Sequence, residues 1–240
     1  MISLDMPISP GRLAERIFYF FYDNGLLAGR RYFIEAGAAD GRDQSNTWAL
    51  AQLGWRGLLI EASAAAAEIC VQNRPESTVV HAALISQDYT EKTVELIHHP
   101  DHFLCNHIAS TTTKENDYSF TASEPSPTRT LESILKEQSF GEIYFFSLDV
   151  EGYEFNVLDG LNLEWYRPTF LLVESAKLDA LTEYLEKPGY ELIASMTPHD
   201  HLFGRQSYRP AGLTWIVRSP QELPVAEEGS KGEVILDFLR

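Results

Sequence analysis

The stretch from Tyr32 to Gly41 constrains the fold of this chain more than any other. Tyr32, Phe33 and Ile34 form a short apolar, β-prone run that ends on Glu35, and a turn containing Gly37 and Gly41 follows. A helix is expected over Gln44–Leu53, carrying Trp48, Leu50 and Leu53, with Gly54 behind it as a stop. A buried strand that stops at an acid and turns through glycines into a helix is the ligand-binding turn of an open α/β sheet. Ligands there sit beyond the carboxyl ends of the strands, where strand order reverses. Glycine lets the backbone turn sharply and admits a ligand without a Cβ in the way. The spacing Gly37-x-x-x-Gly41 is not G-x-G-x-x-G, and no Gly-Lys-Ser/Thr follows to make a phosphate-cradling loop.

The same theme recurs along the chain. Gly57–Glu61 is an apolar strand ending on an acid that lies 20 residues past Gly41, where a nucleotide-binding unit places the carboxylate that grips ribose hydroxyls. Ala62–Arg74 reads as an Ala-rich helix stopped by Pro75, and Thr78–Ile85 as the third strand. Ile143–Asp149 and Thr169–Glu174 are two more strands with terminal carboxylates, each followed by a helix, through Leu158 and over Leu178–Leu185. Tyr190–Met196 and Leu213–Arg218 then read as an antiparallel edge hairpin around a polar loop, Thr197–Gly212. Thr93–His98 suggests a short hairpin, and Asp101–Pro127 a long irregular loop beside the site, since such inserts in compact domains tend to be functional or disordered. Ahead of the first strand, Gly11–Leu27 is helical in pattern, with an aromatic run Phe18–Tyr22 that suits packing, a lid over a pocket or burial against a second copy. The expected division is a helical extension (1–30), the α/β domain (31–218) and a tail (219–240), which either stays mobile or docks as a final strand.

Four strand ends carrying Glu35, Glu61, Asp149 and Glu174 imply a cleft lined with carboxylates, suited to a cationic cofactor, a divalent metal or proton abstraction. The formal net charge of −16 opposes a nucleic-acid backbone or anionic membrane as partner. No run approaches the ~20 apolar residues of a membrane span. Two cysteines, Cys70 and Cys105, give neither a disulfide framework nor zinc spacing. These features lead to the expectation of a cytoplasmic enzyme with a small-molecule substrate, no nucleic-acid or membrane partner, and homo-oligomerisation left open.

Glu35-x-Gly37-x-x-x-Gly41 matches the first motif of S-adenosylmethionine (SAM) methyltransferases, whose cofactor brings a sulfonium and an ammonium rather than a pyrophosphate. The fuller pattern resembles the FkbM-type methyltransferases: Glu35–Gly41, Ser45-Asn46-Thr47, Leu53–Glu61, Asn73-Arg74-Pro75, Ala82-Ala83 and, most closely, Ser147–Glu154 followed by Val157-Leu158 and Gly160. Glu35 stands where the family more often has Asp, and Ala38-Ala39 where Ala-Asn is commoner. The resemblance implies a Rossmann-like class I fold: a seven-stranded, mostly parallel sheet with an antiparallel edge hairpin, helices on both faces, and SAM-dependent O-methylation of a small molecule or sugar. Carried over by position, it places Glu35, Gly37 and Gly41 around the methionine part of SAM, with Ala38 and Asn46 also in the cofactor site. Glu61 and Ala62 then fall at the ribose, Ala82 and Ala83 beside adenine, and Asp149 nearest the transferred methyl.

Asp149 and Glu174 are the candidate catalytic residues. Either Asp149 or a histidine (His107, His199 or His201) removes the acceptor proton, or Asp149 and Glu174, with Glu151, hold Mg²⁺. The metal-free version is preferred, no metal ligand is assigned, and Glu151 and Glu154 are expected at a helix start, where acids complement the dipole. A non-catalytic SAM-binding scaffold is the remaining alternative.

Overall fold

The computed structural model describes residues 2–98, 107–108, 122–138, 140–209, 214–224 and 233–236. In chain order its elements are β1 (Ile2–Asp5), α1 (Leu13–Asp23), β2 (Tyr32–Ala36), α2 (Trp48–Gln52), β3 (Arg56–Glu61), α3 (Ala64–Asn73), β4 (Thr78–His81) and β5 (Ala83–Leu84). There follow β6 (Thr93–His98), β7 (His107–Ile108), β8 (Ala122–Arg129), α4 (Leu131–Gln138), β9 (Ile143–Leu148), α5 (Glu154–Asp159) and α6 (Leu163–Tyr166). The chain continues through β10 (Phe170–Glu174), α7 (Leu178–Glu186), β11 (Tyr190–Ser195), β12 (Asp200–Arg205) and β13 (Glu233–Leu236).

Seven strands form the central sheet in the order β11-β12-β10-β9-β2-β3-β4. Pairing is parallel from β4 to β10, and β12 runs antiparallel to both β10 and β11. The central strands read as unbroken apolar runs because both faces are covered. Successive side chains point to opposite faces: Ile34, Phe146 and Leu171 pack in one layer with Leu131, Val157 and Leu181 of the helices α4, α5 and α7. Phe33, Phe145 and Leu172 pack in the other with Ile17, Leu50 and Cys70 of α1, α2 and α3.

The aromatic run of α1 is used for packing. Phe20 and Phe21 meet Phe170 edge-on, with ring centroids 5.4 and 5.6 Å away, a favoured arrangement of ring quadrupoles. Phe18 through Phe21 are buried within the same chain, and only Tyr22 of the run is exposed.

Several boundaries differ from those expected. The helix assigned to Gln44–Leu53 begins only at Trp48. Gln44 has a left-handed φ of 60°, and the carboxylates of Asp40 and Glu35 take the amides of Arg42, Asp43 and Asn46. Side chains thus capture the backbone groups a helix would have used. The strand Thr78–Ile85 breaks at Ala82: β4 closes the central sheet, whereas β5 pairs with β8 in a second sheet of order β5-β8-β6-β7. Thr93–His98 is indeed extended, but its long antiparallel partner is β8, most of which falls in the segment Asp101–Pro127 expected to be irregular; residues 101–106 and 109–121 of that segment lie outside the described residues.

The second hairpin strand is β12, within the expected polar loop, and residues 214–218 form no strand. Asp200, His201 and Arg205 disguise a strand whose Leu202 and Phe203 are fully buried. At Ile216 a side-chain amide replaces a strand partner, because Asn24 bonds both its N–H and its C=O. The segments expected as N-terminal extension and C-terminal tail meet in an antiparallel pair, β1 with β13.

Candidate active site

A cavity of about 500 Å³ opens beyond the carboxyl ends of β2, β3, β9 and β10. That size lies in the usual range for small-molecule sites. It sits where connections from β2 run one way across the sheet and the strands β9 and β10 continue the other way, the switch point of an open α/β sheet. Glu35, Gly37, Ala38, Asn46, Glu61, Ala62, Ala82, Ala83, Asp149 and Glu174 all line it. Gly41 does not.

The glycine turn is built by the backbone. The amides of Gly37 and Ala38 donate to the carbonyl of Ile60, at 3.0 and 3.2 Å. A Cβ on Gly37 would fall 1.6 Å from the carbonyl oxygen of Asp149, so only glycine lets β2 turn beside β9. Gly41 is needed for another reason. Its φ is +75°, and a Cβ there would strike Cys70 Sγ and Arg74 Cγ of the helix behind the loop.

Glu35 is engaged by protein. Its carboxylate accepts from Ser45 Oγ (2.8 Å), the Asn46 amide (2.9 Å) and Thr47 Oγ1 (2.6 Å). It also faces the Arg74 guanidinium at 3.7 Å, with both side chains buried. Arg74 in turn donates to the carbonyl of Gly41 (2.7 Å), to Ser45 Oγ and to Thr47 Oγ1. Burial pushes the arginine's pKa down and Glu35 pushes it back up. Glu35 therefore fixes the loop that frames the cavity, and Arg74 is its counter-ion. The sequence marked Arg74 only as part of a motif, because nothing local shows that it reaches back to residues 41–47.

Glu61 accepts from the amides of Ala39 (2.8 Å) and Ser63 (2.7 Å) through its two oxygens. Each carboxylate oxygen has a second lone pair, so the group keeps acceptor capacity toward the cavity. Burial raises its pKa, and those backbone bonds lower it again. Asn46 donates through Nδ2 to Ser147 Oγ (3.2 Å), while its buried Oδ1 has no partner.

Asp149, Glu151 and Glu174 each bring a carboxylate oxygen to within 4.8 Å of the others. Asp149 lies deep in the molecule yet faces the open cavity, where its side chain is solvent-accessible. Its pKa is held well above the usual carboxylate range, first by its depth, then by the charge of Glu174 and a hydrogen bond with it. Glu151 is pushed up to about 7 by burial and then by Glu174 and Glu154. The expectation that Glu151 starts a helix is corrected. Glu154 takes that place, accepting from the Gly152 amide at 2.8 Å, whereas Glu151 has φ +54° and lines the cavity.

The far wall falls at the start of the helical stretch read as a possible lid and in the expected polar loop Thr197–Gly212. It comprises Ser9, Pro10, Gly11 and Leu13 on one side and the turn Thr197–Asp200 on the other. His199 is on that wall, but His201 is not. His201 is buried, with Nδ1 against Ser195 Oγ (2.9 Å) and Nε2 against the carbonyl of Ser175 (3.0 Å), a structural histidine. The side chain of His107 lies outside the described residues. Cys70 is buried and free, with its thiol pushed up to about 12 by burial, so it serves as a small apolar side chain.

Strand order, switch-point cavity and a carboxylate at every adjoining strand end define a Rossmann-like class I methyltransferase architecture. A family model for the methyltransferase FkbM domain matches residues 35–192. The chain belongs to the FkbM methyltransferase family and is a SAM-dependent methyltransferase.

Solved structures of similar fold include the ribosomal protein L11 methylase from Lactobacillus delbrueckii subsp. bulgaricus (8% identity, TM-score 0.47), covering 81% of this chain and 79% of that one. Another is the N-terminal domain of human METTL16 in complex with SAH (14% identity, TM-score 0.45), covering 83% and 72%. A third is a putative RNA methyltransferase, PH1948, from Pyrococcus horikoshii (8% identity, TM-score 0.42), covering 82% and 85%. No curated protein matches the chain at a significant level. Among the described residues no helix is long and apolar enough to cross a membrane.

Proposed function

We propose that this chain transfers the methyl group of SAM to a hydroxyl of a small metabolite, sugar-like in size and neutral or positively charged. The charge of the cavity carries this reading. Among its described lining residues seven are acidic (Glu35, Asp43, Glu61, Asp149, Glu151, Glu174 and Asp200) and none is Lys or Arg. A phosphorylated or polyanionic acceptor would meet a wall of its own sign, and the whole chain repeats that sign at −16.

The residues present suit SAM. Gly37 leaves room beside β9, Glu61 keeps lone pairs for ribose hydroxyls, Ala82 and Ala83 offer small apolar side chains to an adenine, and the unpartnered Asn46 Oδ1 can accept from an ammonium. When bound, the cofactor supplies an electrophilic methyl group. The chain's part is to hold the acceptor oxygen in line and to remove its proton, positioning being the larger contribution. Asp149 is the assigned base, because its carboxylate faces the cavity at the strand end and burial and Glu174 raise its pKa, which makes it a stronger base than an ordinary carboxylate. Glu174 steadies the proton that Asp149 receives. His199 is the second candidate base, and a Mg²⁺ ion is the alternative chemistry, with Asp149, Glu151 and Glu174 the carboxylates that would hold it.

Calorimetric titration with SAM and S-adenosylhomocysteine (SAH), with Mg²⁺ or EDTA, tests the cofactor site. Binding is expected for both ligands and should be lost in Glu61→Ala; no binding under any condition would sink the reading. A pH series adds a sharper prediction. With the Glu151 carboxyl near 7, raising pH from about 6 to 8 adds negative charge to the cluster, so the sulfonium of SAM gains affinity relative to uncharged-sulfur SAH. The SAM-to-SAH affinity ratio should rise about three- to tenfold over that range, at most one pKa unit's worth of interaction. In Glu151→Gln the rise should flatten.

A further inference from the structure

The two walls at the acceptor end of the cavity are held differently. In the Thr197–Asp200 turn, Thr197 Oγ1 accepts from the amides of His199 and Asp200 (3.1 and 3.0 Å) and donates to the Asp200 carboxylate. The carbonyl of His199 is tied to the Ser175 amide at 2.7 Å, immediately after β10. The facing strap, Ser9–Leu13, is closed locally through Ser9, whose Oγ accepts from the Ala14 amide (3.0 Å) and whose carbonyl accepts from the Arg12 amide (3.0 Å), but it also leans on a distant segment. Gly11 and Arg12 are both left-handed, with φ +58° and +56°, and for Arg12, which carries a Cβ, this conformation is unfavourable. It persists only where surrounding contacts over-determine it.

Ser9 supplies part of those contacts, and the Arg12 side chain supplies the ones that reach outside the strap. That side chain points away from the cavity, donates to the carbonyls of Pro220 (3.3 Å) and Pro224 (2.8 Å), and pairs with Glu15. The segment it grips is well anchored. Leu223 is buried with Leu4, Phe18 and Tyr19, Arg218 makes two bonds to Asp23 (2.6 and 2.7 Å), and Ser219 and Glu222 close a capping box.

We propose that Arg12 is a positioning residue for the methyl acceptor: by bolting the strap to the Ser219–Pro224 segment, it preforms the acceptor wall without touching the cavity. A segment near the end of the chain thereby becomes part of acceptor recognition. A guanidinium suits the task because its planar fork serves two carbonyls and a carboxylate together, which an ammonium does less well. This inference rests on reading the cavity as a methyl-transfer site.

The test compares two 5′-aza analogues of SAM of equal charge. One carries a methyl on the nitrogen, and the other a benzyl group that reaches from the cofactor end toward the strap. In Arg12→Ala the benzyl analogue should bind at least about fivefold more weakly than to wild type, from loss of preorganisation, with the methyl analogue changed less than about twofold. Arg12→Lys should recover part of the benzyl affinity, which also guards against an alanine variant that folds poorly. Equal weakening of both analogues would mean general destabilisation and overturn the proposal, as would no change in either. Failure of wild type to bind even the methyl analogue would instead strike the methyltransferase reading of the cavity.

Discussion

Asp149→Asn is expected to lower kcat by at least about a hundredfold, the low end of general-base contributions, while SAM and SAH bind within a few-fold of wild type. The substitution keeps shape and removes the proton acceptor. It leaves the backbone amide of Asp149 bonded to the carbonyl of Ala36 (3.1 Å), so the turn at Gly37 should stand. Glu174→Gln should cost less, because it removes a partner of the base rather than the base itself. Tritium transfer from labelled SAM to the acceptor, with cofactor affinity measured separately, reads both. A rate within a few-fold of wild type in Asp149→Asn would move the base to His199 or to a metal-held oxygen, and restoration of rate by Mn²⁺ in either variant would favour the metal.

Arg74→Met is expected to destabilise the fold by about 3–5 kcal/mol, the usual consequence of leaving one member of a buried pair uncompensated. For a domain of this size that corresponds to a Tm lower by roughly 6–20 °C. The Glu35 carboxylate would stay buried with its three neutral donors and no counter-ion, and the carbonyl of Gly41 would lose its 2.7 Å bond. The double variant Glu35→Leu/Arg74→Met should regain part of that stability, since an apolar pair can replace a buried ion pair at little cost. It should still fail to bind SAM, because Ser45, Asn46 and Thr47 would have lost the carboxylate that gathers them. Thermal melts with and without SAM separate the two effects. A single variant as stable as wild type would show that the ion pair is incidental.

The central sheet and its site end were legible because both follow from local patterns. Apolar runs ending on Glu35, Glu61, Asp149 and Glu174, separated by helical stretches, leave few ways to bury both faces. Parallel pairing then puts every carboxyl end on one side. The family pattern Ser147–Glu154 lies wholly within one strand and the turn after it, so it too could be read in one dimension. Elements whose identity depends on a partner were misread. β12 carries polar residues at Asp200, His201 and Arg205, and only its place between β10 and β11 makes it a strand. Residues 214–218 look extended and apolar, yet Asn24 occupies Ile216 where a strand would have paired. The early start assigned to the helix after Gly41 ignored that Asp40 and Glu35 would take its first amides.

For the site, the sequence by itself determined that the strand-end carboxylates Glu35, Glu61, Asp149 and Glu174 reach the cleft and that glycine must hold the turn beside them. Those facts need only strand direction and the alternation of side chains. Tertiary structure alone decided what each carboxylate is free to do. Glu35 is committed to Arg74 and the loop, Glu61 is half-committed to backbone amides, and Asp149, Glu151 and Glu174 cluster at the open cavity. It also decided that residues 9–13 and 197–200, distant in sequence, form the opposite wall. The reason is that hydrogen-bond saturation and charge proximity are properties of neighbours in space, and the neighbours that matter here are separated by tens to hundreds of residues.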